Sequence, residues 1–165
     1  MKLKVSKLHL GFQNKTFKIL SKDLADRGNV FKEKFIVAKL SLVKEKDHFF
    51  LHGNLEAIIE YTCVRCLKKN PDKIYLPINI LIFEENIKKM TRTDFDIIYY
   101  NKSNNYVNLK NIFADLIALA EPMKPLCDKK CSGLCHTCGV EKINLCNCIE
   151  HPNTGAWEKL KDLHI

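Results

Sequence analysis

Eight cysteines fall into four close pairs: Cys63/Cys66, Cys127/Cys131, Cys135/Cys138 and Cys146/Cys148. Six of them lie in the twenty-two residues from Cys127 to Cys148, and the other two sit roughly sixty residues upstream. Thiols spaced this closely, with turn-forming residues between them, can aim at one ion. Zinc is the default metal for such sets, because it accepts four thiolates in a closed tetrahedron that leaves no open position for chemistry. In Cys135-His136-Thr137-Cys138-Gly139 the glycine after the second thiol frees the backbone to curl around an ion. Eight thiols make two four-thiolate sites with none left over. Two partitions are open. In the first, Cys135/Cys138 joins Cys146/Cys148 locally and Cys63/Cys66 joins Cys127/Cys131. In the second, the two CxxC knuckles pair and the remaining four cysteines take the other ion. The first is favoured, because its local site closes a loop of seven residues at small entropic cost. It also makes Cys127/Cys131 a clamp between the C-terminal segment and the upstream domain. With roughly 10–16 kcal/mol of apparent binding energy per structural zinc, such a clamp exceeds the usual stability of a small domain.

Rival uses of the thiols fit less well. Disulfide scaffolds belong to short secreted chains, and the N-terminus MKLKVSKLHLGF has no apolar signal core. A reducing cytoplasm is the expected compartment. The spacing Cys127-x3-Cys131-x3-Cys135-x2-Cys138 is not the ferredoxin run. The H-x-E and P-C-x-x-C halves of a zinc deaminase are both missing. Cys63-Val64-Arg65-Cys66 has the spacing of a redox dithiol, with Arg65 favouring thiolate, but no βαβ pattern surrounds it. The six histidines are scattered; His136 reads as a solvent-facing filler and His52 as a satisfied sheet histidine. No Ser/His/Asp set, carboxylate pair or glycine-rich phosphate loop stands out, so the chain reads as a non-enzyme.

Hydrophobic content of 46% supports a packed core. The longest apolar stretch, Ile112 to Ala120, is interrupted by Asp115 and is too short for a bilayer, so no membrane insertion is expected. The net charge of +8 is uneven: residues 1–109 hold 20 Lys and Arg against 12 Asp and Glu, whereas residues 110–165 hold 7 of each. Excess basicity upstream of the late cysteines suits a polyanion partner. Candidate contacts are Arg65, Lys68, Lys69 and Lys73 around the first knuckle, Lys129 and Lys130 in the second region, and Lys88, Lys89 and Arg92 between them. Tyr61, Tyr75, Tyr99, Tyr100 and Tyr106 are candidate stacking partners.

Hydrophobic alternation predicts an α+β, mainly β fold: an antiparallel β-rich domain, then a helix, a cysteine-rich zinc-knuckle region and a short C-terminal helix. Strands are expected over Lys2–Leu10, Glu33–Lys46, Phe49–Tyr61 and Ile74–Phe83, with a hairpin turn at Lys46-Asp47. Pro77 demands an edge position or a bulge in the last of these. Gly11 to Asn29 reads as turns with a short helix near Ser21–Arg27, and Lys68–Lys73 as a polar turn. Short strands follow at Asp96–Tyr100 and Tyr106–Leu109. A helix at Asn111–Ala120 is stopped by Pro122, and a closing helix is expected around Ala156–Leu163. The expected division is a basic β-rich domain over 1–109 carrying the first knuckle, with the helix and zinc-knuckle segment 110–165 packed on it.

These motifs also carry a family resemblance. His52-Gly53-Asn54-Leu55-Glu56-Ala57 leads into Cys63-Val64-Arg65-Cys66-Leu67, and Asp115 through Cys127 reads DLIALAEPMKPLC. Cys131-Ser132-Gly133-Leu134-Cys135-His136-Thr137-Cys138-Gly139, then Cys146-Asn147-Cys148, then Ala156-Trp157-Glu158-Lys159-Leu160 complete the set. From about residue 50 the chain resembles the YceD family, named for large ribosomal RNA subunit accumulation. Its closing element reads His151-Pro152-Asn153 where the family has Asp-Pro-Arg, and the first 45 residues match only loosely. The resemblance implies a non-enzymatic role in making, processing or stabilising large-subunit (23S) ribosomal RNA. The implied partners are ribosomal RNA or the pre-ribosomal large subunit, with an assembly-factor protein as a further one. It also implies that the first two cysteine pairs can occur without the later ones, which favours the local partition. Two other readings remain at this point: a thiol–disulfide protein using Cys63/Cys66, and an adaptor acting on rRNA only indirectly.

Overall fold

The computed structural model describes residues 1–86, 95–101, 103–104, 106–141 and 148. Its strands are β1 (Lys2–Lys4), β2 (Phe12–Leu20), β3 (Val30–Phe31), β4 (Phe35–Lys44), β5 (His48–Thr62), β6 (Lys69–Glu84), β7 (Asp96–Tyr100) and β8 (Tyr106–Asn108). Two helices accompany them, α1 (Val5–Leu10) and α2 (Lys110–Ala120). The main sheet runs in the order β2-β4-β5-β6-β7, with β3 beside the far end of β5, and β1 pairs with β8 in a separate ribbon. The fold is thus α+β and mainly β, as the alternation implies. One pairing departs from the antiparallel expectation: β7 joins β6 in parallel, from Ile80↔Asp96 to Glu84↔Tyr100.

The long hairpin β5–β6 is the spine of the sheet. Its register is uninterrupted from His48↔Phe83 to Thr62↔Lys69. Ile36, Ala38, Leu40 and Leu42 of β4, Leu51, Leu55 and Ile59 of β5, and Ile74, Ile78, Ile80 and Ile82 of β6 all face inward. Period-two alternation puts them on one side of the pleat. That side is covered by α1, α2 and the β1–β8 ribbon, through Leu8, Val107, Leu109, Phe113 and Ile117 in one continuous core. Each such large side chain taken from water contributes about 1.5–3 kcal/mol. Just before α2, Asn108 Oδ1 accepts the Lys110 N–H at 3.1 Å, and Pro122 follows the end of the helix.

Four expectations change. Lys2–Leu10 is not one strand: β1 gives way to α1, which buries Leu8 alongside Leu3, a spacing of opposite parity on a strand, with Val5 partly buried against the same core and Leu10 84% exposed. Gly11 to Asn29 is not mainly turn. It contains the nine-residue edge strand β2, whose polar Gln13 to Thr16 face solvent, and the helix expected there is a single 3-10 turn at Ser21–Asp23. A register shift between Phe12 and Lys15 is anchored by the Asn14 N–H on Ser41 Oγ at 2.9 Å. Lys68–Lys73 is no turn either, since β6 begins at Lys69 and the cysteine knuckle itself is the hairpin loop. His52, expected to be satisfied, stacks on Phe50 with its Nδ1 buried and without a hydrogen-bond partner among the described residues.

Pro77 pairs with Asn54 without a bulge. Pairing of β6 with β7 starts only at Ile80, so Pro71 and Pro77 both lie where β6 is the rim of the sheet. The turn at 45–47 is closed by the Glu45 N–H on the His48 carbonyl at 2.9 Å. The closing helix expected at Ala156–Leu163 lies outside the described residues.

Gly53 faces Leu40 of β4 across the β4–β5 pairing. Its φ is +151°, and a Cβ there would lie 2.1 Å from the Lys39 carbonyl oxygen. Gly53→Ala is therefore expected to lower stability by about 1–3 kcal/mol, read as a reduced denaturation midpoint of the metal-loaded protein.

Candidate metal centre

The hairpin loop between β5 and β6 is the first knuckle. Thr62 ends one strand, Lys69 begins the next, and residues 63–68 turn the chain through 180°. The Cys63 N–H donates to the Lys68 carbonyl at 2.8 Å and the Leu67 N–H to the Cys63 carbonyl at 2.9 Å. Leu67 takes φ +59° to close the loop. The Arg65 N–H points at Cys63 Sγ, 3.4 Å away, as backbone amides do around a thiolate.

The segment after α2 folds back onto this loop. The Val64 N–H donates to the Pro125 carbonyl at 2.9 Å, and the Leu134 N–H to the Arg65 carbonyl at 3.2 Å. Tyr61 Oη donates to the Leu126 carbonyl at 3.4 Å. Gly133, at φ +77°, lets the chain pass against Arg65, where an added Cβ would stand 3.2 Å from the Arg65 carbonyl oxygen. An Asx turn, with the Lys130 N–H on Asp128 Oδ1 at 2.7 Å, presents Cys131.

Together these contacts bring four thiols into one group. The sulfurs of Cys63, Cys66, Cys127 and Cys131 all lie within 4.8 Å of one another. Cys63 and Cys131 are 3.9 Å apart, Cys66 and Cys127 3.5 Å. Metal–sulfur bonds of about 2.3 Å in a tetrahedron give sulfur–sulfur edges of about 3.8 Å, so the set has the size of one tetrahedral ion. The gaps are far longer than a disulfide bond of about 2.05 Å. They are too short for a multi-iron cluster, whose irons and sulfides hold the thiolates apart. Cys63, Cys66 and Cys131 are buried with Leu126 and Leu134 beside them, and Cys127 lies at the rim.

The thiols are electrostatically unequal. The Cys127 backbone N–H, with those of Cys66 and Arg65, pulls the Cys63 thiol down to about 6. The Lys68 N–H favours the Cys66 thiolate, as does the Cys127 side chain, but burial together with the Cys63 and Cys131 side chains outweighs them, so Cys66 is raised on balance. The Cys66 and Cys131 side chains, followed by burial, push Cys127 up to about 12. One thiolate is readily tolerated here and a full set is not, unless a cation supplies the missing charge.

A second group consists of Cys135, Cys138 and Cys148, also within 4.8 Å of one another. The Cys135 N–H donates to the Val140 carbonyl at 2.7 Å, and the Gly139 N–H to the Cys135 carbonyl at 2.9 Å. Gly139 has φ +72°, the curl its position after Cys138 implied. Cys146, the fourth expected ligand, lies outside the described residues. Both groups could hold a metal ion, and the donor chemistry of each suits a thiophilic one.

The basic candidates are distributed as follows. Arg65 turns one guanidinium nitrogen onto the Cys131 carbonyl at 2.8 Å, so it braces the centre. Lys68 is 2.7 Å from Glu141, Lys69 3.5 Å from Glu60 and Lys73 3.1 Å from Glu56. Lys129 and Lys130 are exposed beside Cys131 and have no ion pair with a described residue. Lys88, Lys89 and Arg92 lie outside the described residues. Among the tyrosines, Tyr75, Tyr99 and Tyr106 are exposed, while Tyr100 is buried. Sequence reasoning missed Glu141 and Gly133. Glu141 gives no local signal, because its partner Lys68 is 73 positions away; Gly133 shows only as a glycine between two ligands.

The model of the family described as "Large ribosomal RNA subunit accumulation protein YceD" matches residues 51–164, from β5 through both cysteine groups. The chain belongs to the YceD family. That family is described as an accumulation factor for the large ribosomal RNA subunit. No curated protein and no solved structure matches the chain significantly. Among the described residues, no helix is long and apolar enough to cross a membrane.

Metal uptake by the first group must displace protons from Cys66 and Cys127 at neutral pH, and from Cys63 as well below about pH 6. Protons therefore compete more strongly as pH falls. The apparent affinity for zinc, measured by chelator competition, is expected to drop about a hundredfold or more per pH unit from 8 to 6 and more steeply below.

Proposed function

We propose that this protein is a non-enzymatic, zinc-stapled factor that supports the synthesis, processing or stability of large-subunit (23S) ribosomal RNA. The single observation that carries this reading is the four-sulfur group joining the β5–β6 loop to residues 127 and 131, inside the segment matched by the YceD model. In this reading two zinc ions are bound. One is held by Cys63, Cys66, Cys127 and Cys131, and the other by Cys135, Cys138, Cys146 and Cys148. Both sites are closed, so the metal supplies structure and no reaction. Its effect is to fix the loop tip and the C-terminal segment as one rigid end of the long hairpin.

Around that end, Lys129 and Lys130 offer charge to RNA phosphates, with Arg65 held beside them. Lys68, Lys69 and Lys73 contribute by exchanging a carboxylate partner for phosphate. An exposed ion pair is worth about 1 kcal/mol or less, so that exchange is cheap. The partner is ribosomal RNA, free or in a pre-ribosomal large subunit, and the compartment is the cytoplasm where those particles form.

Elemental analysis of protein purified without added metal is expected to give two zinc ions per chain, with the thiols silent until a chelator is added. Four titratable thiols beside one zinc would restore the dithiol reading of Cys63/Cys66. Cys127→Ser should leave one ion per chain and cost about 4 kcal/mol or more of stability. Binding of the zinc-loaded protein to large-subunit rRNA fragments should weaken log-linearly with salt, with a slope of about −0.7 to −0.9 per phosphate contacted. Salt-insensitive capture of precursor particles that survives nuclease treatment would replace RNA contact with protein docking.

A further inference from the structure

One face of the main sheet is buried under the helices; the other carries a second candidate site, farther along the β5–β6 hairpin from the cysteine loop. Cross-strand register aligns Lys18, Val37, Glu56 and Tyr75 in one row of the outward face, and Thr16, Lys39, Asn54 and Pro77 in the next. Tyr75 is 60% exposed and Phe35 44% exposed. Aromatic rings so open on a strand face are costly to leave in water, and they are not shared with the core. A lysine attends each: Lys34 Nζ lies 5.7 Å from the Phe35 ring centroid, and Lys73 Nζ 4.5 Å from that of Tyr75. Beside Phe35 lies a groove of about 240 Å³, lined by Phe35, Val37, Ala57 and Ile58 with Glu33, Glu56 and Lys73 at its polar edges; Glu56 and Lys73 connect it to Tyr75, the register partner of Glu56. Two strand spacings and one two-residue step separate the rings by roughly 12 Å.

We infer that this open face binds single-stranded RNA, with bases stacked on Phe35 and Tyr75 and phosphates met by Lys18, Lys34 and Lys39. The inference rests on the rRNA reading above and adds to it a second contact surface, beside the one at the metal-centre end. Charge decides the occupant. Lys18, Lys34 and Lys39 are exposed and have no ion pair with a described residue, so the face presents unneutralised positive charge around apolar rings. A single strand offers the complement, a phosphate chain with flat bases that stack on any aromatic surface. A duplex hides its bases and could use only the lysines. Glu33 and Glu56 do not oppose this assignment where they sit. At the groove edge they face base amino groups, which carboxylates accept.

The test uses the zinc-loaded full chain and a fluorescent single-stranded oligoribonucleotide of about a dozen nucleotides, followed by anisotropy. The Phe35→Ala/Tyr75→Ala variant should bind at least tenfold more weakly with an unchanged salt slope, because stacking is lost and phosphate contacts remain. The Lys18→Glu/Lys39→Glu variant should bind more weakly with a shallower slope. It also serves if the aromatic variant loses its fold by circular dichroism. Wild-type affinity in both variants would overturn the assignment. So would a protein that binds only duplex RNA. Failure to bind the oligonucleotide alongside retained co-sedimentation with pre-ribosomal large subunits would overturn this surface alone. Loss of both would remove the rRNA reading with it.

Discussion

Four thiols within 4.8 Å of one another cannot all give up their protons unless a cation balances the charge. Removing one proton is easy where backbone amides surround Cys63. Each further thiolate is placed against the first in a partly dry site, and the last, at Cys127, is held to about 12. Much of the rest follows from this frustration. The β5–β6 loop closes tightly enough to place Cys63 and Cys66 side by side. The chain after α2 must turn at Asp128 and Gly133 to deliver Cys127 and Cys131. The backbone bonds between residues 64 and 125, and between 65 and 134, hold those approaches in place. An ion bound there would offset the repulsion among the thiolates and lock together segments that the sequence separates by about sixty positions.

The sheet provides leverage for that lock. β5 and β6 pair over fifteen residues without a break, so the loop at one end is rigidly referred to the core at the other. Gly53 allows β4 to lie close alongside, and α2 anchors through Phe113 and Ile117 before the chain leaves for the cysteines. The centre is thus fixed from both sides, by the tip of the hairpin and by the tail of a buried helix. Arg65 ties the two, with its carbonyl on Leu134 and its guanidinium on Cys131.

Much of this was legible in the residues, and the failures share a cause. Cysteine spacing marked every thiol in both groups, and the loop-length argument favoured the grouping in which Cys63 and Cys66 lie beside Cys127 and Cys131. Strands with clean alternation, β4, β5 and the later part of β6, were visible because one face of each is core. What stayed hidden depended on neighbours far away in the chain. β2 looked like turns because an edge strand needs few apolar residues once β4 pairs with it. The start of β6 looked like a polar turn because both its faces are wet there, and only the partner strand makes it regular. The parallel entry of β7 left no local trace at all. The lysines read as a basic patch near the first knuckle turned out to be pairwise balanced by Glu56, Glu60 and Glu141. A formal charge count cannot see such balance.

The two prolines on the rim of β6 have a consequence beyond local geometry. Among the described residues, no strand pairs with the outer edge of β6 from Lys69 to Asn79. An open, extended rim of that length is a template on which another copy of the chain could crystallise into a fibril. Pro71 and Pro77 remove amide donors at two points along it, so an incoming strand would meet an interrupted ladder and gain little by annealing. The longest hairpin of the fold is thereby shielded from pairing with a second copy.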